Sequence, residues 1–441
     1  MEIVRSVPKD IDAEQRQMDQ AERKEKRKHV AKPIGVERGK RAQAHSDRDR
    51  DATDFRRLRA STQRRDSVRQ EDQGLGVDAH GRAGRRAAPN NGNVHGLMIT
   101  GSTMKDILGI NYYFGEDERN DAVFDRRKAD LFARGFVIAF KDWIEAHYDA
   151  EVHTWDAVDA SSDQVKAVLY FDYSWRYALR DPILKKIPYR KRALMMIEPN
   201  NVNPSLYFVP FYRNRFHTVF TWDERLLQKH PSYHAINVPV GAEPSKYARN
   251  PFAAIRFQDK KTLVAISRNR WSYMPQSTYR QRVAAYRHFS ATMGDGFDLY
   301  GFGWSKEAIS SYRGPIDGSW DEKVAKTSNY RFALCFENNA SQPGYVSEKI
   351  LDCFCARCVP IYYGSRGIER RIPRDCFIDF RDFAGLDDLE RFIRSMSEEE
   401  HSRHIMAIDR FLRSKAIGFF STEHYFRTLA DGLGLTRRAR L

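Results

Sequence analysis

The run FALCFENNASQPGYVSEKILDCFCARCVPIYYG, residues 332–364, predicts a β-α-β unit with charged residues at the start of its helix. Its first apolar stretch ends at Glu337, a polar loop follows, and helical spacing begins beside Ser347 before the apolar VPIYY. Ser347 is a typical helix N-cap, so Glu348 and Lys349 fall in the first turn of that helix. Charged groups beside a buried sheet are costly unless they meet each other or a ligand, which makes this turn the first candidate site.

Strand-like and helix-like segments alternate on both sides of this unit, from about residue 98 onward. Strand-like runs in the first half are DILGINYYF (106–114), AVLYFDY (167–173) and FHTVFTW (216–222), beside the helical spacing of FARGFVIAFKDWIEAHY (132–148). The second half repeats the pattern with KTLVAISRN (261–269), the helical STYRQRVAAYRHFSATM (277–293) and FDLYGFGW (297–304). Such alternation is typical of parallel sheets, so we assign the chain to the α/β class, with two Rossmann-like domains that face a cleft.

Changes in composition divide the chain into four predicted segments. Residues 1–97 form a disordered charged arm, 98–250 a first Rossmann-like domain, 251–385 a second one, and 386–441 a group of C-terminal helices. Residues 1–95 contain 23 Lys and Arg against 16 Asp and Glu, which contributes +7 to the formal net charge of +15. With few aromatic residues, this arm cannot bury enough surface to offset chain entropy. A basic arm could bind nucleic acid or anionic lipid, but we favour a solvated tail.

Cysteine usage and hydropathy bear on the compartment. No apolar run reaches the roughly 18 residues of a spanning helix, and the N-terminus lacks the apolar core of a secretory signal. The chain has five cysteines, and Cys353, Cys355 and Cys358 have no histidine or fourth cysteine at zinc spacing, so we expect core residues and no metal site. The sequence predicts a cytoplasmic protein, and its basic end LTRRARL predicts peripheral contact with the anionic inner face of a membrane.

The run from Tyr330 to Gly364 resembles the signature of the α-1,3-fucosyltransferase family, in its bacterial form. That signature contains Tyr-x-Phe, Glu-Asn, Tyr-x-Thr/Ser-Glu-Lys and Val-Pro-x-x-x-Gly, in this order. The matching residues are Tyr330, Phe332, Glu337, Asn338, Tyr345, Ser347, Glu348, Lys349, Val359, Pro360 and Gly364. So many fixed positions within one short region make the match specific.

Three further segments resemble the same family more weakly. QRVAAYRHF resembles a segment in which an arginine, here Arg282, opens a helix with apolar or aromatic residues three, four and seven places on. AISRN resembles the end of a family strand, with Ser267 at the family's serine and Arg268 where asparagine is usual. ALMMIEPNNVNP resembles the stretch that holds the general base, which falls on Glu198, although Glu-Pro-Asn replaces the usual Glu-Ser-Pro.

The resemblance implies an inverting GT-B-type glycosyltransferase that moves L-fucose from GDP-fucose to a hydroxyl of an acceptor sugar. The expected acceptor is N-acetylglucosamine in a surface glycan, such as a lipid-linked lipopolysaccharide, held by the first domain. An α-1,3 linkage is expected and an α-1,4 linkage stays open.

The resemblance also assigns the site residues. Glu198 would be the catalytic base. The donor-binding residues would be Arg282, Lys349, Glu348, Tyr345, Asn338, Glu337 and Ser267. Two cations beside a helix N-terminus can stabilise a departing diphosphate, so neither a cofactor nor a divalent metal is expected to be obligatory.

Two other functions remain open at this point. A GT-B transferase could use a different nucleotide sugar, or the chain could be a nucleic-acid-binding protein that acts through its basic arm. The second alternative predicts that removing residues 1–97 abolishes function, whereas we expect an enzyme that keeps its activity and binds no nucleic acid.

Overall fold

Two parallel β-sheets organise the part of the chain that the computed structural model describes. The described residues are 104–111, 119–128, 132–173, 184–203, 215–238, 244–316 and 320–439. The predicted charged arm lies outside them.

The first sheet has six parallel strands in the order β2-β1-β3-β4-β5-β6. Its strands are β1 Asp106–Asn111, β2 Ala150–Thr154, β3 Val165–Phe171, β4 Arg192–Met195, β5 Thr218–Thr221 and β6 Tyr233–Ala235. Helix α1, Phe132–His147, links β1 to β2, and the short helix α2, Glu224–Leu227, follows β5. Buried Val137, Phe140 and Ile144 of α1 pack against β1 because they recur at helical spacing on one face.

The second sheet has five parallel strands in the order β11-β10-β9-β7-β8. Its strands are β7 Lys261–Ile266, β8 Phe297–Tyr300, β9 Tyr330–Phe336, β10 Val359–Tyr363 and β11 Ile378–Asp379. The helices are α3 Tyr279–Met293, α4 Trp320–Thr327, α5 Glu348–Cys355, α6 Leu386–Ser395, α7 Glu398–Arg413 and α8 Thr422–Gly432. The prediction of an α/β protein with two Rossmann-like halves is confirmed.

The cysteines lie in the core of the second half, as predicted. All five are buried and free, and Cys353, Cys355 and Cys358 belong to the cluster that α5 forms with β9 and β10. Among the described residues no helix is long and apolar enough to span a membrane.

A buried carboxylate explains the first residue of the family signature. Asp298 of β8 accepts hydrogen bonds from the Tyr330 hydroxyl at 2.6 Å, Lys261 Nζ at 2.7 Å and Arg313 Nε at 2.6 Å. Burial alone would raise the pKa of Asp298, but these donors outweigh it and hold the pKa below its usual range. Tyr330 therefore fixes the sheet through Asp298.

The last helix returns to the first sheet. Tyr425, Phe426 and Leu429 of α8 are buried in the same cluster as β1 and α1. The Phe426 ring meets those of Phe136 and Phe140 at centroid distances of 5.4 and 5.2 Å. The end of the chain thus completes the core of the first half.

Residues of the predicted membrane-binding tail pack on the same half. Arg437 forms an ion pair with Asp431, and Arg438 Nε donates to the Tyr148 carbonyl at 3.0 Å. Their contacts are to the protein itself, and membrane contact stays a prediction.

Replacing Phe426 by alanine tests the contribution of α8. We expect Phe426→Ala to lower the free energy of unfolding by about 3–5 kcal/mol, because it leaves a cavity among aromatic rings. Urea unfolding followed by circular dichroism measures this loss. Phe392→Ala is the control, since Phe392 on α6 is 40% exposed and its loss should cost under about 1 kcal/mol. Equal losses in the two variants would show that α8 does not support the core.

Candidate active site

A cavity of about 400 Å³ lies where the strands of the second sheet end. Its lining includes residues that directly follow β7, β8 and β9 or lie close behind them, because parallel strands place their carboxyl ends at one edge. The first half also contributes to the lining. Six of the eight residues predicted for the site line this cavity: Glu198, Ser267, Arg282, Asn338, Glu348 and Lys349.

Glu337 is fully buried and lies behind the cavity wall. Its carboxylate accepts hydrogen bonds from the Ser347 backbone N–H at 2.7 Å, the Ser347 hydroxyl at 2.6 Å and Lys349 Nζ at 3.2 Å. Ser347 caps α5, as predicted, and its side chain accepts from the Lys349 N–H. Glu337 therefore fixes the start of α5 and the position of Lys349.

Lys349 and Glu348 form a charged pair on the wall. Burial opposes the charge of Lys349, but the Glu337 and Glu348 carboxylates outweigh it and raise the pKa of the lysine. Burial likewise opposes the charge of Glu348, and Lys349 and Lys323 outweigh it and lower that pKa. Both groups are therefore ionised near neutral pH.

Arg282 has no carboxylate partner within the described part of the chain, although it is only 5% exposed. Its Nη2 donates to the Phe336 carbonyl at 2.5 Å and to Asn338 Oδ1 at 2.9 Å. These neutral acceptors orient the guanidinium, and its charge is felt at longer range by Glu348, whose pKa it helps to lower. A buried cation that no carboxylate contacts directly can still accept an anionic ligand.

Ser267 and Gly301 follow neighbouring strands and approach closely. A Cβ at Gly301 would lie 1.9 Å from the Ser267 carbonyl oxygen, and Gly301 has φ +126°, so this position requires glycine. Tyr286 donates to Ser267 Oγ at 3.0 Å and Trp304 Nε1 donates to the Ser267 carbonyl at 2.7 Å. The loop after β7 is thereby held against β8.

Tyr345 does not line the cavity. It is 2% exposed, and its ring meets that of Trp222 at 4.8 Å, with an angle of 60° between the rings. Its hydroxyl accepts from Asn338 Nδ2 at 3.4 Å, and Trp222 Nε1 donates to the Ile197 carbonyl at 2.9 Å. Tyr345 therefore packs against the segment that precedes Glu198.

Glu198 comes from the first half and faces the cations of the second. Burial raises its pKa, while Lys349 and Arg270 oppose that shift. In the described residues no donor binds its carboxylate, which leaves both oxygens available to a ligand.

The loop after Glu198 is bound to the second half by amide groups. Asn339 Nδ2 donates to Asn200 Oδ1 at 2.7 Å, and the Asn200 N–H donates to Gln342 Oε1 at 2.9 Å. Asn201 Nδ2 donates to the Asn338 carbonyl at 2.9 Å. Because these groups are largely buried, each bond is costly to leave unmade, and together they fix Glu198 over the cavity.

Asp172 is a site residue that the sequence analysis missed. It follows β3 with φ +51° and is buried. Its carboxylate accepts the backbone N–H of Ile197 at 2.8 Å and that of Glu198 at 3.3 Å. Burial, with the charge of Glu198, raises the pKa of Asp172 to about 8. The available signal was an acid that ends the run AVLYF, just as Glu198 ends ALMMI.

The cavity has further cations that the sequence analysis did not select. Arg268, Arg270 and Lys323 line it, and Lys323 forms an ion pair with Asp352. The sequence does show Arg268 and Arg270, separated by one residue, just after the β7 strand, and this pair could have predicted a cationic site. The wall is therefore strongly cationic opposite Glu198.

Replacing Asp172 by asparagine tests its buried ionisation. A carboxyl whose pKa rises from 3.8 to about 8 on folding favours the folded state at low pH and loses that contribution as pH rises towards 8. Asp172→Asn cannot ionise, so its stability relative to wild type should increase between about pH 5.5 and 7.5, by up to about 1.4 kcal/mol per pH unit.

Denaturant unfolding at a series of pH values gives this comparison. Asp159→Asn is the control. Hydrogen bonds from Ser161 lower the pKa of Asp159, so its ionisation changes the free energy of unfolding only at lower pH. If Asp172→Asn and wild type show parallel pH dependence, Asp172 does not ionise in this range.

Comparisons with known proteins agree with the signature. Residues 257–405 match the model of glycosyltransferase family 10 (fucosyltransferase), C-terminal part. The chain is 33% identical over 75 residues to the α-(1,3)-fucosyltransferase FucT of Helicobacter pylori, covering 17% of this chain and 16% of that protein. It is 28% identical over 80 residues to an α-(1,4)-fucosyltransferase of Arabidopsis thaliana, covering 18% and 20%.

These alignments span a fifth or less of each relative's length. A crystal structure of an α1,3-fucosyltransferase with GDP aligns with 76% of this chain and 92% of its own, at 17% identity and a TM-score of 0.44. The family match includes Ser267, Arg282 and the whole signature, and it does not reach Glu198. Residues 257–405 are thus similar to the C-terminal part of the glycosyltransferase family 10 fucosyltransferases, and the predicted resemblance is confirmed.

Proposed function

We propose that the protein transfers L-fucose from GDP-fucose to a hydroxyl of an acceptor sugar, with inversion. The observation that carries this proposal is the charge arrangement across one cavity. Arg282 and Lys349 come from the second half, and the Glu198 carboxylate, which no donor of the described residues binds, comes from the first. An inverting transfer needs this arrangement, because the leaving group and the base act on opposite faces of the sugar.

The donor diphosphate would meet the cations. Cleavage of the sugar-phosphate bond places negative charge on the diphosphate, and Arg282, which no carboxylate of the described residues contacts directly, would bind it. The Lys349 ammonium would bind the same oxygens. With these groups supplying the positive charge, we propose that no cofactor and no divalent metal is obligatory.

The remaining donor residues would shape the pocket. Glu348 accepts hydrogen bonds only, which suits the paired hydroxyls of ribose. Asn338 and Ser267 would contact the donor from the wall, whereas Glu337 and Tyr345 would act from behind it by positioning Lys349 and Asn338.

Glu198 would remove the proton from the attacking hydroxyl. Burial raises its pKa towards the working pH, which strengthens it as a base. Asp172 would hold its backbone in place.

The acceptor is proposed to be N-acetylglucosamine of a surface glycan, including a lipid-linked one, joined through an α-1,3 linkage. The signature supports an α-1,3 linkage. Because the chain is similar to both α-1,3 and α-1,4 enzymes, the linkage in the product has to be determined directly. A cytoplasmic location, peripheral at the inner membrane face, belongs to the same proposal.

Glu198→Gln tests the proposed base. We expect kcat for fucosylation of N-acetyllactosamine to fall about 10²–10⁴-fold, because the amide cannot accept the proton. The donor affinity, measured by calorimetric titration with GDP-fucose, should be retained or increased, because the change is isosteric and removes a negative charge that faces the donor cations. Titrations with GDP-mannose and UDP-glucose test the donor, and wild-type protein that binds either one more tightly than GDP-fucose contradicts the proposal.

Arg282→Lys tests whether the buried Arg282 guanidinium binds the donor diphosphate. Lysine keeps the charge but loses the planar fork, so kcat/KM should fall about 10²-fold, and kcat more than donor affinity. Arg280→Lys is the matched control, since Arg280 is exposed on the same helix and outside the cavity. Kinetics that are unchanged in Arg282→Lys would exclude Arg282 from the donor site.

A further inference from the structure

Two aromatic side chains protrude from the loop that follows β7. Trp271 is 44% exposed and Tyr273 is 84% exposed. Their ring centroids are 3.8 Å apart, with the planes nearly perpendicular at 83°. Neither residue belongs to a hydrophobic cluster of the described core. Large exposed aromatic groups side by side are unusual on a soluble surface and mark a contact site.

The loop that carries this pair contributes residues to the cavity lining. Arg270, which lines the cavity, directly precedes Trp271. Between the two rings, the Ser272 hydroxyl donates to the Asn201 carbonyl at 3.0 Å. Asn201 is three residues beyond Glu198, so the aromatic pair is attached to the loop of the proposed base.

The other end of the same loop is also held. The Thr278 N–H donates to the Asn338 carbonyl at 3.2 Å, and Ser277 forms a bridge with Asn339. Asn338 lines the cavity and Asn339 binds Asn200. The rings are therefore presented from a loop that is hydrogen-bonded at two places, to the loop after Glu198 and to the segment that contains the lining residue Asn338.

We propose that Trp271 and Tyr273 form a stacking platform for the acceptor saccharide. This inference rests on the proposed function. A pyranose has an apolar C–H face that packs on an aromatic ring and a hydroxyl rim that the Tyr hydroxyl and indole N–H can bind. The acceptor hydroxyl must reach Glu198, and the platform is attached to the Glu198 loop, whereas the diphosphate belongs with Arg282 and Lys349.

Alanine variants separate the acceptor from the donor. We expect Trp271→Ala and Tyr273→Ala each to raise the KM for N-acetyllactosamine about 10-fold. The Kd for GDP-fucose and the rate of GDP-fucose hydrolysis without acceptor should stay within about twofold, because the donor cations are untouched. Trp271→Phe should recover most of the acceptor affinity, since it keeps an aromatic face.

Phe392→Ala is the control for the loss of an exposed aromatic ring away from the site. An acceptor KM that is unchanged in both alanine variants, in a wild-type protein that transfers fucose, overturns the platform alone. A weaker donor Kd in Trp271→Ala also overturns it and indicates stacking with guanine. If wild-type protein transfers no fucose, quenching of tryptophan fluorescence by N-acetyllactosamine decides the question: quenching that is lost in Trp271→Ala supports the platform, and its absence in wild type overturns it.

Discussion

The buried carboxylate of Glu337 is the constraint on which the site depends. It lies at the end of β9 with 0% exposure, where an uncompensated charge costs several kcal/mol. It accepts hydrogen bonds from the Ser347 backbone, the Ser347 hydroxyl and the Lys349 ammonium. If the first turn of α5 moved away from β9, Glu337 would lose these donors and remain buried with an unpaired charge. Gly364, directly after β10, approaches the same group, because a Cβ there would lie 2.6 Å from Glu337 Cγ and 2.2 Å from the Tyr362 hydroxyl. Much of the signature therefore describes one buried charge and the groups that surround it.

A second set of contacts brings the two sheets together around the cavity. Asn200 and Asn201 share hydrogen bonds with residues about 140 positions further along the chain, and Tyr345 packs on Trp222. The amide hydrogen bonds among them are specific in geometry, so they set the position of Glu198 more narrowly than apolar packing alone could. Helix α8 returns to the first sheet and adds its aromatic side chains to that core.

The charges around the cavity suggest how donor binding would prepare the base. In the free protein, Lys349 and Arg270 oppose the effect of burial on the pKa of Glu198. A diphosphate bound to those cations would neutralise their field, and the pKa of Glu198 would rise further. The carboxylate would thus become a stronger base when the leaving group is in place, which couples proton removal to the presence of the donor.

The sequence by itself determined the α/β class, the helix that starts beside Ser347, the buried cysteines and the family of the second half. These features depend on local periodicity, on capping and on a dense motif, all of which are written within short stretches of chain. Only the tertiary structure decided that Glu337 and Tyr345 lie outside the cavity lining, that Asp172 supports Glu198, and that the exposed Trp271 and Tyr273 belong to a loop bonded to Asn201. Those positions depend on contacts between strand ends and loops that are far apart in sequence. Such contacts determine whether a charged or aromatic side chain is buried against the protein or exposed to a ligand, and local sequence does not specify them.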